Sequence, residues 1–434
     1  MDERQELEAY FDRLWPIMRS ITGEGVRETH DILSELIPLD RTEVPSGTQA
    51  FDWTVPKEWV FRDAYAVGPD GSRVLDARKN TLHVVNYAAP FRGRLSRAEL
   101  DERLYSLPGM PDAIPYVTSY YRENWGFCLS QNQRDALPDG DYDVVIDTDF
   151  IDGSLTFSEA VLPGKSDREV LISTYTCHPS MANNELSGPL VSAFLARRIA
   201  QWPERNFTYR FVFAPETIGA ITYLSQRGDH LKKSVAAGYV VTCVGLPTVP
   251  TYQLSQRADT LADRAARFAL AQLDEPFEVR DFHPTGSDER QYCSPGFDLP
   301  VGSYIRGRYG QYDEYHTSLD NKDLIDFSAL NASLNAMEAI CRTLDQNHRY
   351  RNDAPFGEPN LGKRGLYPTT GGKRANMDHR QRAHATLWLC NQCDGRRDLI
   401  DIAERSGMPL PLLYDIAEQC VSRGLFSRVE GGDR

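Results

Sequence analysis

Leu7, Tyr10, Phe11, Leu14, Ile17, Met18 and Ile21 recur at the three- and four-residue spacing of a helix buried along one face. Thr22-Gly23-Glu24-Gly25 interrupts the pattern, and a second helix is predicted to about residue 36. Between residues 42 and 130 the periodicity shortens. β-type runs at 50–55 and 81–87 alternate with turns such as Gly68-Pro69-Asp70-Gly71, which predicts a small β-rich module. From Tyr142 onward, apolar β-branched runs at 143–147, 169–175, 209–214, 238–243 and 299–304 are separated by helical stretches at 190–199, 218–226 and 259–273. Continuous apolar strands with helices between them indicate a mostly parallel, doubly wound α/β sheet. Near the end, helical patterns at 385–391, 398–406 and 411–423 precede a β-like run at 424–429.

That last order is the order of a winged helix. The expected organisation is an α/β domain of residues 1–41 and 131–350, a β-rich insertion at 42–130, a linker at 351–380 and a winged-helix-like domain at 381–434. The chain has 434 residues, 41% of them hydrophobic and 25% charged, which is enough to bury a sizeable core. A net charge of −14 opposes binding to nucleic acid. No apolar run reaches the ~20 residues of a membrane span, and the acidic start Met1-Asp2-Glu3-Arg4-Gln5-Glu6 is unlike a secretory signal. A cytoplasmic protein with reduced thiols is therefore expected. Of the eight cysteines only Cys390 and Cys393 form a CxxC, with no second pair nearby, so buried thiols are favoured over a metal or redox site.

In a doubly wound sheet, reactive groups gather at the carboxyl ends of the strands. Four polar clusters fall there: Thr176-Cys177-His178-Pro179 leading into Asn183-Asn184-Glu185-Leu186-Ser187-Gly188; Pro215-Glu216-Thr217-Ile218-Gly219; Gly286-Ser287-Asp288-Glu289; and Asp313-Glu314-Tyr315-His316-Thr317. A lone histidine at a strand end is more often structural than a ligand. Four such clusters together are costly to bury without a shared partner.

In this order the clusters resemble the co-catalytic zinc aminopeptidases, and more closely a bacterial aminopeptidase-like group with a C-terminal winged helix. The resemblance implies a zinc-peptidase fold, with His178 and His316 as metal ligands and Glu216 as general base. It also implies that the three ligand carboxylates of those peptidases fall on Asn184, Thr217 and Thr242. So few charges cannot balance two dications, and one zinc ion per chain is expected. The third ligand is then Asn184 or Glu185. Glu185 is preferred on charge, although a first-turn glutamate also suits the helix dipole.

Around this centre several roles stay open. Asp288 and Glu289 could hold a substrate amine or orient a ligand, and Tyr315 and Tyr292 could donate to an oxyanion or simply pack. Arg306 and Arg308 could grip a substrate carboxylate or only solvate the surface. Thr369-Thr370-Gly371-Gly372-Lys373 lies in the linker, where no phosphate loop is expected. The reading that follows is a mononuclear zinc hydrolase of amides or peptides. Its substrate is a small amino-acyl or peptide-like molecule, which the resemblance links to surface-glycan or natural-product pathways; a homo-oligomer is left open. The competing reading is a degenerate peptidase fold that binds a ligand or regulates, with the winged helix packing rather than reading DNA.

Overall fold

The computed structural model describes residues 2–366 and 377–429. Residues 369–373, weighed above for phosphate binding, and part of the expected linker lie outside them. Two units divide the chain: residues 1–262 with 274–338, and residues 263–273 with 339–434. No described helix is long and apolar enough to cross a membrane.

The first unit is built on an eight-stranded sheet. Its order is Asp40–Pro45, Ser154–Leu162, Thr208–Ala214, Glu169–Tyr175, Val235–Val241, Val301–Arg306, Pro250–Gln253, Glu278–Arg280. The strands from Thr208–Ala214 through Val301–Arg306 run parallel, and antiparallel pairs flank them on both sides. The mostly parallel sheet expected from the sequence is thus a mixed sheet with a parallel centre. Glu169–Tyr175 and Val301–Arg306 are buried at every position, as strands covered on both faces must be. Asp40–Pro45, at the edge, is largely exposed.

Two boundaries differ from expectation. The strand Asp141–Ile151, expected to open the main sheet, instead pairs with Glu58–Val67 and Phe91–Ser96, and Arg73–Asp76 completes this separate four-stranded sheet. Its exposed positions alternate with buried ones at the start, the pattern of a strand with one wet face. The strand Asp40–Pro45, conversely, belongs to the main sheet. The β-rich module therefore occupies the chain between Pro45 and Ser154.

The first helix also stops early. Glu3–Leu14 ends at a C-cap on Trp15, because Pro16 cannot continue the hydrogen-bond ladder. Ile17 and Ile21 still reach the core, from irregular backbone, and the same stretch carries Arg19 into complete burial.

In the second unit a three-stranded sheet, Asp394–Asp398, Arg349–Asn352 and Phe426–Arg428 in that order, accompanies the helices Met377–Gln392, Leu399–Ser406 and Leu410–Ser422. The strand Arg349–Asn352 forms where the sequence suggests the linker begins. Asp398 caps the helix Leu399–Ser406, and its carboxylate receives Arg264 at 2.7 and 2.9 Å. Cys390 and Cys393 stay thiols that burial raises, Cys390 to about 11, and neither belongs to a ligand cluster among the described residues.

The helix Ser187–Ala200 begins directly over the parallel centre. A Cβ on Gly188 would stand 2.4 Å from Val241 O and 2.5 Å from Thr174 Oγ1, so only glycine allows the approach. Gly188→Ala should therefore lower the unfolding free energy by about 1–3 kcal/mol, the usual range for overpacking. Urea denaturation monitored by far-UV circular dichroism checks this; an unchanged midpoint would show that the helix can lift off without cost.

Candidate active site

Loops at the carboxyl ends of adjacent parallel strands converge on one place. Glu169–Tyr175 leads to Cys177 and His178, Thr208–Ala214 to Glu216 and Thr217, Val235–Val241 to Thr242 and Cys243, and Val301–Arg306 towards the loop carrying His316. Ser180, Thr217, Cys243 and His316 all hold positive φ, at 42, 61, 51 and 57°. For β-branched Thr217 this is a strained conformation, of the kind that persists where the surroundings over-determine it. A π-turn over Ala182–Leu186 adds a further irregularity beside His178.

The imidazoles of His178 and His316 have ring centres 5.5 Å apart, inclined at 44°. Nδ1 of His178 lies 2.9 Å from Glu185 Oε2, and its Nε2 is 3.7 Å from Glu216 Oε2. Glu185 and Arg19 are completely buried, and the second Glu185 oxygen is 3.7 Å from Arg19 Nε. Arg19 Nε donates to the carbonyl of His178 at 2.9 Å, and Nη1 donates to Leu14 O at 2.8 Å. Glu185, expected as the third metal ligand, thus stands behind His178 with one oxygen committed to its ring. Cys177 Sγ, His178 Nδ1 and a Glu185 oxygen do lie within 4.8 Å of one another. In this structure they are joined by hydrogen bonds, Cys177 Sγ to His178 Nδ1 at 3.3 Å and His178 Nδ1 to Glu185 Oε2 at 2.9 Å, and burial holds the Cys177 thiol well above its usual range.

On the other side, His316 Nε2 is buried without a hydrogen-bond partner. Burial, and then the charge of His178, lower His316 to about 3, so its ring is neutral with a lone pair available. Tyr315, a candidate oxyanion donor, stacks on His316 at 3.9 Å and 15°. Asn184 Oδ1 is also buried and unpartnered, while its Nδ2 donates to Tyr175 OH at 2.9 Å. Asp320 ties these groups together: its carboxylate accepts the backbone N–H groups of Asn183 at 2.7 Å and Asn184 at 3.0 Å, four residues beyond His316. An imidazole nitrogen from each histidine, an amide oxygen with nothing bound to it and the Glu216 carboxylate are donors of the kind a zinc-type ion takes.

The remaining expected residues divide. Asp288 is buried beneath the pocket, where Oδ1 accepts the Thr217 N–H at 2.8 Å; burial, and then the charge of Glu216, raise its pKa well above the usual carboxylate range. It props the strained turn after Glu216. Glu289 is fully buried and turned to Gln253 Nε2 at 3.0 Å, so it cannot hold a substrate as expected. Arg306 is likewise corrected, because its guanidinium is closed by Glu275 through two 2.7 Å bonds and by Ser333 at 3.2 Å. Arg308 is half-buried on the same segment. Tyr292 is buried against Ser173 at 2.8 Å.

His178, Glu216 and His316 open into one cavity of about 380 Å³. Its other walls were not legible as site residues: Trp53, Tyr116, Tyr120 and Tyr121 from the β-rich module, and Arg290. The module is latched to the His316 loop by backbone bonds, Tyr116 N to His316 O at 2.9 Å and Ser318 N to Ile114 O at 2.8 Å. The ring of Tyr116 meets His178 at 5.2 Å and His316 at 5.3 Å, and its hydroxyl bonds that of Tyr120. The aromatic cluster at 116–121 and the proline at 16 were the available signals for Tyr116 and Arg19.

The family described as a domain of unknown function (DUF4910) matches residues 8–347. The chain belongs to it. A winged helix-turn-helix family matches residues 348–428. The DUF4910 chain is 45% identical, over 93% of its length and 92% of the relative's, to a Clostridium acetobutylicum protein named for polysaccharide biosynthesis and an aminopeptidase-like domain. A crystal structure named as a peptidase, from the same organism, matches with a TM-score of 0.89 and 42% identity, over 98% of this chain and 96% of that one. The zinc aminopeptidase BSAP of Bacillus subtilis shares the fold at 13% identity and a TM-score of 0.54, over 78% of this chain and 93% of its own. The DUF4910 core is thus a mixed α/β sheet of zinc-aminopeptidase type, followed by a winged helix.

Arg19→Met should cost roughly 3–5 kcal/mol, because it leaves the buried Glu185 carboxylate without its cation. Chemical denaturation measures this, and Arg19→Met/Glu185→Gln should recover part of the loss. If the double variant is no more stable than the single one, the two groups are not coupled.

Proposed function

We propose that this DUF4910 protein is a mononuclear zinc hydrolase of aminopeptidase type that cleaves an amide in a small amino-acyl or peptide-like molecule. The observation that carries the reading is the meeting of His178 Nε2, Glu216 and the unpartnered His316 Nε2 in one cavity. The polysaccharide-biosynthesis name of the Clostridium relative favours a specialised biosynthetic substrate over general protein turnover.

His178 and His316 would hold the ion, with the Asn184 side-chain oxygen as third protein ligand. When bound, zinc supplies Lewis acidity to polarise the scissile carbonyl and activate water. Glu185, held by Arg19, fixes which nitrogen of His178 faces the cavity, the orienting role that carboxylates play for metal-bound histidines. Glu216 keeps 24% of its side chain exposed, so water reaches it. Burial raises its pKa, and the charges of His178 and Arg290 only partly offset this. A carboxylate shifted towards neutrality is suited to taking a proton from attacking water and returning it to the departing amine. A single ion follows from the neutral side chains at Asn184, Thr217 and Thr242, which supply no charge for a second.

Elemental analysis of the purified chain is expected to give about one zinc, and His316→Ala should lose it; two tightly held ions, or full occupancy in that variant, would refute the ligand set. Glu216→Gln keeps the side chain's shape and removes its basicity. Assayed against a panel of aminoacyl amides and N-acyl amino acids, it should retain zinc, leave KM little changed and slow turnover roughly 10²–10⁴-fold. Loss of metal would make Glu216 a ligand. Unchanged turnover, or a wild-type chain inactive on every member, would favour the binding-protein reading.

A further inference from the structure

Thr217 falls, by the resemblance read from the sequence, where the zinc aminopeptidases carry a second glutamate, and a neutral side chain there has an electrostatic consequence close by. Arg290 lines the same cavity as His178, Glu216 and His316, and its Nη2 donates to Thr217 Oγ1 at 3.1 Å. No carboxylate lies within 4.0 Å of its guanidinium among the described residues. The other arginines considered for the site are engaged: Arg306 by Glu275, Arg19 by two carbonyls with Glu185 beside it. The carboxylate of Asp288, two positions before Arg290, is turned under the Thr217 N–H. A hydroxyl at 217 satisfies one donor of the guanidinium and, although the charges of Glu216 and Asp288 are felt from further off, no carboxylate closes on the rest of a rigid fork of donors that matches a carboxylate in shape.

We propose that Arg290 anchors a carboxylate of the substrate, so that the molecule cleaved in this cavity is an acidic amide of the N-acyl amino acid type. This deepens the hydrolase reading and rests on it. The rim beside Arg290 suits the uncharged part of such a molecule. Trp53 and Tyr121 meet edge-to-face at 5.2 Å, and Tyr121 is 61% exposed, presenting flat apolar surface at the mouth of the cavity. In a chain of net charge −14, a positive group enclosed in this cleft also gives an incoming anion a local target.

The test separates recognition from turnover. Zinc-loaded full-length Glu216→Gln is titrated calorimetrically with N-benzoylglycine and with its primary amide, two probes that differ in the carboxylate. The acid should bind about tenfold or more tightly than the amide, the worth of one charge-assisted hydrogen bond. Adding Arg290→Gln should abolish the difference by weakening the acid alone, and Arg290→Lys should retain part of it by keeping the charge without the fork. Equal binding of the two probes, no binding of either, or equal weakening of both by Arg290→Gln overturns the assignment. Should Arg290→Gln fail to fold, a lysine variant that leaves the acid-to-amide ratio untouched overturns it as well. Because no turnover is measured, an inactive wild-type chain would sink the hydrolase reading and leave this result standing.

Discussion

Glu185 has no exposure to water, and the arrangement of the pocket follows from what must surround it. Arg19 approaches one oxygen and the His178 ring takes the other. To bring Arg19 there, the N-terminal helix has to end at Leu14 and the chain has to turn inward past Pro16. To bring Glu185 there, the chain makes a π-turn before the helix Ser187–Ala200, and Gly188 lets that helix lie against the sheet. Burying a carboxylate is expensive, and it persists where partners on both sides are fixed. The gain is a histidine ring whose orientation is set by structure far from the cavity mouth.

The β-rich module completes what the sheet begins. A doubly wound sheet supplies reactive groups at its strand ends, but those ends alone form an open crevice. Here Tyr116, Tyr120, Tyr121 and Trp53 wall the crevice with rings, and Tyr116 packs against both histidines. The aromatic rings cover part of both imidazoles and narrow the cavity into which they open. A fold shared with a Bacillus subtilis aminopeptidase therefore coexists with a pocket partly walled by the insertion, and fold alone does not carry function across.

Much of the sheet was legible because its central strands are largely apolar runs buried along nearly their whole length, and polar clusters after such runs mark strand ends. His178, Glu216 and His316 stood out for that reason, and the structure gathers all three. The sequence could not tell which oxygen of Glu185 faces what, since one position along a π-turn changes the direction of a side chain. Arg306 looked available because its partner, Glu275, lies 31 residues away in the chain. Arg290 was invisible for the opposite reason: amid Asp288, Glu289 and Gln291 it reads as an ordinary solvated cation, and only the burial of Glu289 turns it towards the cavity as a group apart. The strand Asp141–Ile151 was assigned to the wrong sheet because its apolar middle masks an alternation visible only at its ends.

The latch between the module and the His316 loop also sets an order of events. Ile114 N–H bonds Ser318 Oγ across a sequence separation of 204 residues. Closing so long a loop is slow, and contacts of this range form after local ones have condensed. During synthesis the ribosome must release nearly the whole α/β core before His316 can dock beneath Tyr116. A nascent chain shorter than this lacks both the second imidazole and Asp320, whose carboxylate holds the turn that carries Glu185. The pocket is closed only once the core is complete, so unfinished chains cannot hold both histidines in one cavity.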